Sequence, residues 1–109
     1  MVKSKYQLQI DNLVIKEDLP ILPIDLLEDF THVIKPLMQV DPLNFCGAYS
    51  SHKLLGQLQG YRSLEIDFGN TAYRLVYRIY DKPAPRRVVI LSFADHDPAY
   101  EKAQKRRKK

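Results

Sequence analysis

Residues Gly60 to Asp81 read GYRSLEIDFGNTAYRLVYRIYD. Leu64, Ile66 and Phe68 alternate with Ser63, Glu65 and Asp67, and Tyr73 to Tyr80 is rich in aromatic and branched side chains, so the pattern predicts two strands. The polar break Gly69-Asn70-Thr71-Ala72 is short enough to close them into an antiparallel hairpin. Successive side chains of a strand point to opposite faces, so Arg74 and Arg78 share a face with Val76 and Tyr80, while Tyr73, Leu75, Tyr77 and Ile79 share the other. Helices are expected to cover the second set. The first set, with Ser63, Glu65 and Asp67 of the preceding strand, is expected on an open face.

The pattern extends outward from this hairpin. Arg87 to Phe93 (RVVILSF) is the most apolar run in the chain and predicts a central strand, joined to the hairpin through the turn around Pro83 and Pro85 as an antiparallel meander. Upstream, Tyr6, Leu8 and Ile10 alternate with Gln7 and Gln9 and predict a first strand. Asn12 to Asp18 has room only for a short helix ahead of Pro20 and Pro23. From Pro23, the spacing of Ile24, Leu27, Phe30, Val33 or Ile34, and Leu37 predicts an amphipathic helix that Pro36 ends or kinks near Lys35. Asp41 to His52 reads as a loop or one short irregular strand. Asp97 as cap with Pro98 at the first helical position predicts a short C-terminal helix carrying Tyr100. The fold class expected is α+β: a small, mainly antiparallel, twisted sheet with two N-terminal helices on one face and a short C-terminal helix.

At 109 residues the chain is one domain. The expected layout is a domain over residues 1–101 and a basic tail over 102–109 that continues the last helix or frays. No apolar run approaches the roughly 20 residues of a membrane span, and MVKSKYQLQID lacks the apolar core of a signal peptide. A cytoplasmic protein is expected. Cys46 has no partner for an internal disulfide and reads as a small packing residue. The net charge of +4 belongs to the tail: Lys102, Lys105, Arg106, Arg107, Lys108 and Lys109 supply six of 17 basic residues, and the remaining 11 face 13 acidic ones. Such a tail gives salt-dependent affinity for nucleic acid or only solubility.

An arginine fork beside a carboxylate suits a phosphodiester, because guanidinium matches the phosphate oxygens while the carboxylate accepts a proton. Opposite charges on adjacent strands also form simple cross-strand pairs, and spacing alone favours that reading for Glu65 and Arg74. His96, in ADHDPAY, lies where a strand end meets a helix start and has the chemistry of a general acid. His32 and His52 lack metal-ligand spacing to His96, and no HxxxH, CxxC, EF-hand or glycine-rich phosphate loop is present, so neither metal nor cofactor is expected.

HKLLGQLQGYRSLEID, AYRLVYRIYD and VVILSFADHDPAYEKAQKR, together spanning residues 52 to 107, resemble the RelE/ParE superfamily of toxins from bacterial type II toxin-antitoxin systems. The resemblance implies two N-terminal helices on a small antiparallel sheet and a cognate antitoxin that wraps the toxin, often in a heterotetramer. RelE-like members are ribosome-dependent endoribonucleases that cut mRNA by 2'-hydroxyl attack and so inhibit translation; ParE-like members inhibit DNA gyrase without nuclease chemistry. Arg74 matches the arginine that RelE-like enzymes place on the scissile phosphate, His96 falls where the family carries a basic residue, and Tyr100 matches a C-terminal tyrosine. Ser63 and Glu65 stand where RelE-type enzymes carry lysines, which leaves a ParE-like or inactive toxin as the alternative. The site implied is Glu65 as base, Arg74 on the phosphorane charge, His96 as acid and Tyr100 beside them. Lys53, Arg62, Arg78, Lys102, Lys105 and Arg106 are the expected RNA contacts, and no metal takes part.

Overall fold

The computed structural model describes residues 5–107; Lys108 and Lys109 of the expected tail lie outside the described residues. Five strands, β1 (Gln7–Ile10), β2 (Ser50–Lys53), β3 (Arg62–Phe68), β4 (Thr71–Tyr80) and β5 (Arg87–Asp95), form one sheet in the order β1-β5-β4-β3-β2. β1 runs parallel to β5 and every other pairing is antiparallel, so the expected α+β class and the C-terminal meander are both present. The hairpin turn is tighter than the four-residue break: Phe68 pairs with Thr71, and Gly69 takes φ 62°, which suits a residue without Cβ. Residues 41–52 end in the edge strand β2 rather than a loop.

One sheet face carries the N-terminal helical layer. α1 (Ile24–Asp29) passes through a π-helical segment, Phe30–Ile34, into α2 (Lys35–Val40). Pro36 therefore does not end the run. It sits in the first turn of α2, and the wider π turn ahead of it accommodates the position whose N–H is missing. The same turn moves the buried stripe. Side chains four apart drift about 40° per step on a regular α-helix, yet Leu26, Phe30, Ile34 and Met38 are all buried, because the wide turn takes up the drift. Ile24 and Val33, expected in that stripe, are 68% and 41% exposed.

The opposite face is not open as the sequence suggested. α3 (His96–Arg106) crosses it, and Ala99 and Ala103 pack on Val76, Leu91 and Ala94. These small residues let the helix lie close to the sheet. Between Val76 and Tyr77 of β4 the register to β5 shifts by one residue, leaving Leu91 unpaired as a β-bulge. The bulge changes the parity of β5: Val88, Ile90 and Phe93 share the N-terminal helical layer, while Leu91 and Ala94 lie under α3. Ser63, expected outward, is buried beneath this helix. α3 starts two residues earlier than expected, with Asp95 at the N-cap position, and it continues through residues 102–106 without a break at 101. Among the described residues no helix is long and apolar enough to cross a membrane.

Cys46 is exposed, against the packing role expected of it. It sits at φ 52° in the turn Phe45–Gly47, where the ring of Phe45 takes the buried position and the Asp41 carboxylate accepts the Cys46 N–H at 3.1 Å.

Arg106 anchors α3. Its Nη1 and Nη2 donate to Oδ2 and Oδ1 of Asp18 at 2.8 and 3.0 Å, Nη1 also donates to the Leu91 carbonyl at 2.9 Å, and Nη2 to Glu17 at 3.2 Å. Asp18 accepts from Lys102 Nζ at 2.8 Å and from the Phe93 N–H at 2.9 Å. Burial pushes the Asp18 carboxyl up, but hydrogen bonds from Arg106, Lys102 and Phe93 outweigh it and hold the group below its ordinary 3.8. A depressed folded value means that the stabilisation is present above the ordinary carboxylate range and lost as pH falls through the folded value. Asp18→Asn strips a buried guanidinium of its counter-charge and is expected to cost about 3–5 kcal/mol at pH 7. Urea unfolding at pH 7 and pH 3 checks this: the gap to wild type is large at pH 7 and narrows below 3.8.

Candidate active site

Cross-strand register assembles the candidate site at the N-terminal end of β4. Glu65 pairs with Arg74 across β3 and β4, and on the other side of β3 His52 pairs with Ser63, placing the imidazole on the face that carries Glu65. The Glu65 carboxylate lies between two basic groups: Oε2 is 3.1 Å from His52 Nδ1 and Oε1 is 3.7 Å from Arg74 Nη2. Glu65 and His52 are nearly half exposed, whereas the Arg74 side chain is only 14% exposed. A hydrogen bond from Arg74 Nη1 to the Tyr73 carbonyl at 2.8 Å fixes the guanidinium. Arg74 is thus the rigid member, and its partners are open to a ligand.

α3 brings the other two expected residues to this face. Tyr100 hydroxyl and Ser63 hydroxyl are 3.1 Å apart, so the ring is seated next to the His52–Ser63 pair. His96 meets Tyr100 edge to face at 4.9 Å between ring centroids, and its Nδ1 lies 2.7 Å from Asp97. That contact orients the imidazole through Nδ1. Asp97, expected as the helix cap, serves this purpose instead. The structure therefore collects Glu65, Arg74, His96 and Tyr100 around one patch of sheet, and adds His52.

His52 was not among the expected site residues, because its segment had no clear period. The signal was its position ten residues before the strand that carries Glu65: a tight connection through Gly56 and Gly60 folds β2 back on β3. The set of one carboxylate, two imidazoles and one guanidinium can accept a proton, donate one and balance negative charge. Among the described residues no three His, Cys, Asp or Glu side chains are grouped to hold a metal ion.

The expected RNA contacts fall in three places. Arg106 is buried in the Asp18 cluster and Lys102 is tied to it, so Arg106 is a structural residue, not a surface contact; the run of basic residues hides this because Ala99, Ala103 and Arg106 share the packed face of the helix. Lys105 is exposed on α3. Lys53, Arg62 and Arg78 lie three or four residues along their strands from the Glu65–Arg74 pair, and Arg62 donates to Ser51 Oγ at 3.0 Å and to the Ser51 carbonyl at 3.2 Å.

No family model matches the chain, and no curated protein matches it. Solved structures do match it. A chain of the toxin–antitoxin complex RelBE2 from Mycobacterium tuberculosis superposes with a TM-score of 0.64 at 26% identity, covering 84% of this chain and 99% of that one. The YoeB/ParE toxin from Agrobacterium tumefaciens gives 0.56 at 18% identity, covering 83% and 98%. The chain has the fold of RelE/ParE-superfamily toxins, as the sequence resemblance implied.

Tyr100→Phe removes the partner of a buried hydroxyl while keeping the ring against His96. The expected outcome is a loss of about 1–3 kcal/mol in stability, read from denaturant midpoints, because Ser63 is left unsatisfied.

Proposed function

We propose that this chain, folded as a RelE/ParE-superfamily toxin, is the toxin of a toxin-antitoxin pair and acts in the cytoplasm as a metal-independent endoribonuclease on mRNA at the ribosome. The observation that carries the reading is the convergence of Glu65, His52, Arg74, His96 and Tyr100 from three strands and a helix onto one accessible patch. A surface ion pair needs only two of these groups. The partner antitoxin is inferred from the complex in which the RelBE2 neighbour was solved.

In the proposed reaction Glu65, with His52 hydrogen-bonded behind it, takes the proton of a ribose 2'-hydroxyl as that oxygen attacks the adjacent phosphorus. Arg74 meets the charge that builds on the non-bridging oxygens. His96 gives a proton to the leaving 5'-oxygen as the P–O bond breaks, so the products are a 2',3'-cyclic phosphate and a 5'-hydroxyl. Tyr100 supplies a ring edge beside the reacting ribose. Because the nucleophile belongs to the substrate, positioning and charge balance are what the protein contributes.

A gyrase-inhibiting toxin is the second reading. The Glu65 carboxylate favours it, since a negative group beside Arg74 repels phosphate unless it is used as a base.

The test is induced expression followed by primer extension on a reporter mRNA, with Arg74→Ala, His96→Gln and His52→Gln beside wild type. Wild type is expected to arrest growth with new mRNA cuts, and removal of Arg74 to slow cutting on the order of 100-fold or more. Growth arrest that survives in folded variants, with no cuts and with supercoiling inhibited, would establish the gyrase reading instead.

A further inference from the structure

The two border strands of the sheet are unlike. At the β2 border the Arg62 guanidinium donates to the Ser51 carbonyl at 3.2 Å, and Lys53 places a charge in the strand itself. Charges of this kind keep an edge strand from pairing with another chain. β1, at the other border, has no such guard: its sequence QLQI holds no charge and no proline, and its register with β5 runs without a bulge. Backbone groups alternate in direction along a strand, and the N–H groups of Gln7 and Asp11 donate to the carbonyls of Arg86 and Ile90, both at 2.9 Å. The N–H and C=O groups of Leu8 and Ile10 therefore point away from β5, and among the described residues no strand lies beyond them. Their side chains sit at the border of the core and are only half-buried. An unguarded edge with one apolar face is a template for a further strand.

The residues of β1 select the strand that fits. Set antiparallel to a second copy of itself about a twofold axis at Leu8, the edge brings Leu8 opposite Leu8, Ile10 opposite Tyr6 and Gln7 opposite Gln9. In this register the outward N–H and C=O groups of Leu8 and Ile10 face outward groups of the other copy. One step further along, Lys5 of each copy meets Asp11 of the other, an opposite-charge pair that the symmetry makes twice. Shifting the register by two residues either way separates Lys5 from Asp11. The half-buried side chains of Leu8 and Ile10 are covered by their counterparts, and the exposed Gln7 and Gln9 pair amide to amide on the other face.

We propose that β1 is a self-association edge, on which a second copy of this chain docks its own β1 antiparallel and joins the two sheets into one. A four-residue edge makes a small interface, so the dimer is of the transient class and dissociates on dilution. The pairing uses no residue of the Glu65–Arg74 patch, and it holds or fails independently of the proposed cleavage.

Sedimentation of the reduced protein over a concentration series tests this, with Cys46→Ser alongside to exclude a disulfide. The weight-average mass is expected to climb from 12.7 kDa towards twice that value. Gln7→Lys with Gln9→Lys sets like charges opposite one another across the twofold axis and should raise the dissociation constant at least about tenfold at physiological salt. Gln7→Lys with Gln9→Glu sets opposite charges there and should leave the constant no higher than in wild type. Both variants change only exposed side chains. On the unmutated protein, amide exchange at Leu8 and Ile10 should slow as concentration rises, while the amides of Ser51 and Lys53 at the other border keep their rates, which holds the test open if either variant fails to fold. A mass that stays at 12.7 kDa, a dimer indifferent to the charge pattern at Gln7 and Gln9, or concentration-dependent protection at Ser51 and Lys53 in place of β1 would each overturn the proposal. Protection of Leu8 and Ile10 only by a different, copurifying chain, with the free protein monomeric, would overturn it too and give the edge to that chain's strand.

Discussion

The two-pronged contact between Arg106 and Asp18 is the interaction on which the rest of the molecule depends. β1 ends its pairing with β5 at Ile10 and Ile90, and beyond that point the edge of β5 has no strand partner. Arg106 and Asp18 take over there, the first on the Leu91 carbonyl and the second on the Phe93 N–H. One ion pair thus satisfies the buried backbone beside the bulge, ties the segment Val14–Asp18 to the sheet and fixes the C-terminal end of α3. A buried pair of this kind is costly to desolvate, and it is tolerated here because the carboxylate and guanidinium have nearly all their hydrogen-bonding capacity filled by one another and by these groups.

Docking of α3 has a consequence at its other end. With Arg106 fixed, Ala99 and Ala103 lie on Val76 and Leu91, and the first turn of the helix must then hold Tyr100 over Ser63 and His96 at the rim of the patch formed by Glu65, His52 and Arg74. The sheet consequently has two unlike ends. Near the start of β4 a carboxylate is surrounded by proton-carrying groups, and near its finish arginines are propped between rings.

How far the sequence already disclosed this can be judged from individual residues. Alternation in Leu64, Ile66 and Phe68 and in Tyr73 to Ile79 was a local signal, and it gave the hairpin and the face of Arg74 correctly. Other features had no such local signal. The bulge at Leu91 is legible only against the register of β4. The π turn ahead of Pro36 moved the buried stripe to Leu26, Phe30, Ile34 and Met38, because the turn size rather than the residue pattern sets which side chains coincide. Arg106 looked like one cation of a solvated tail, since its partner lies 88 residues away in the chain. His52 was overlooked for the same reason: its role is set by strand pairing, and β2 is too short to show a period.

The most direct test of the account is the chemistry of the ends. Purified protein would be incubated with translating ribosomes and a defined mRNA, with magnesium kept for the ribosome, and in parallel with a short oligoribonucleotide in excess chelator. Cuts that carry a 2',3'-cyclic phosphate on one side and a 5'-hydroxyl on the other are the result expected of 2'-hydroxyl attack assisted by Glu65, Arg74 and His96. Fragments bearing 5'-phosphates would contradict it, and so would intact mRNA under conditions where the protein still stops growth.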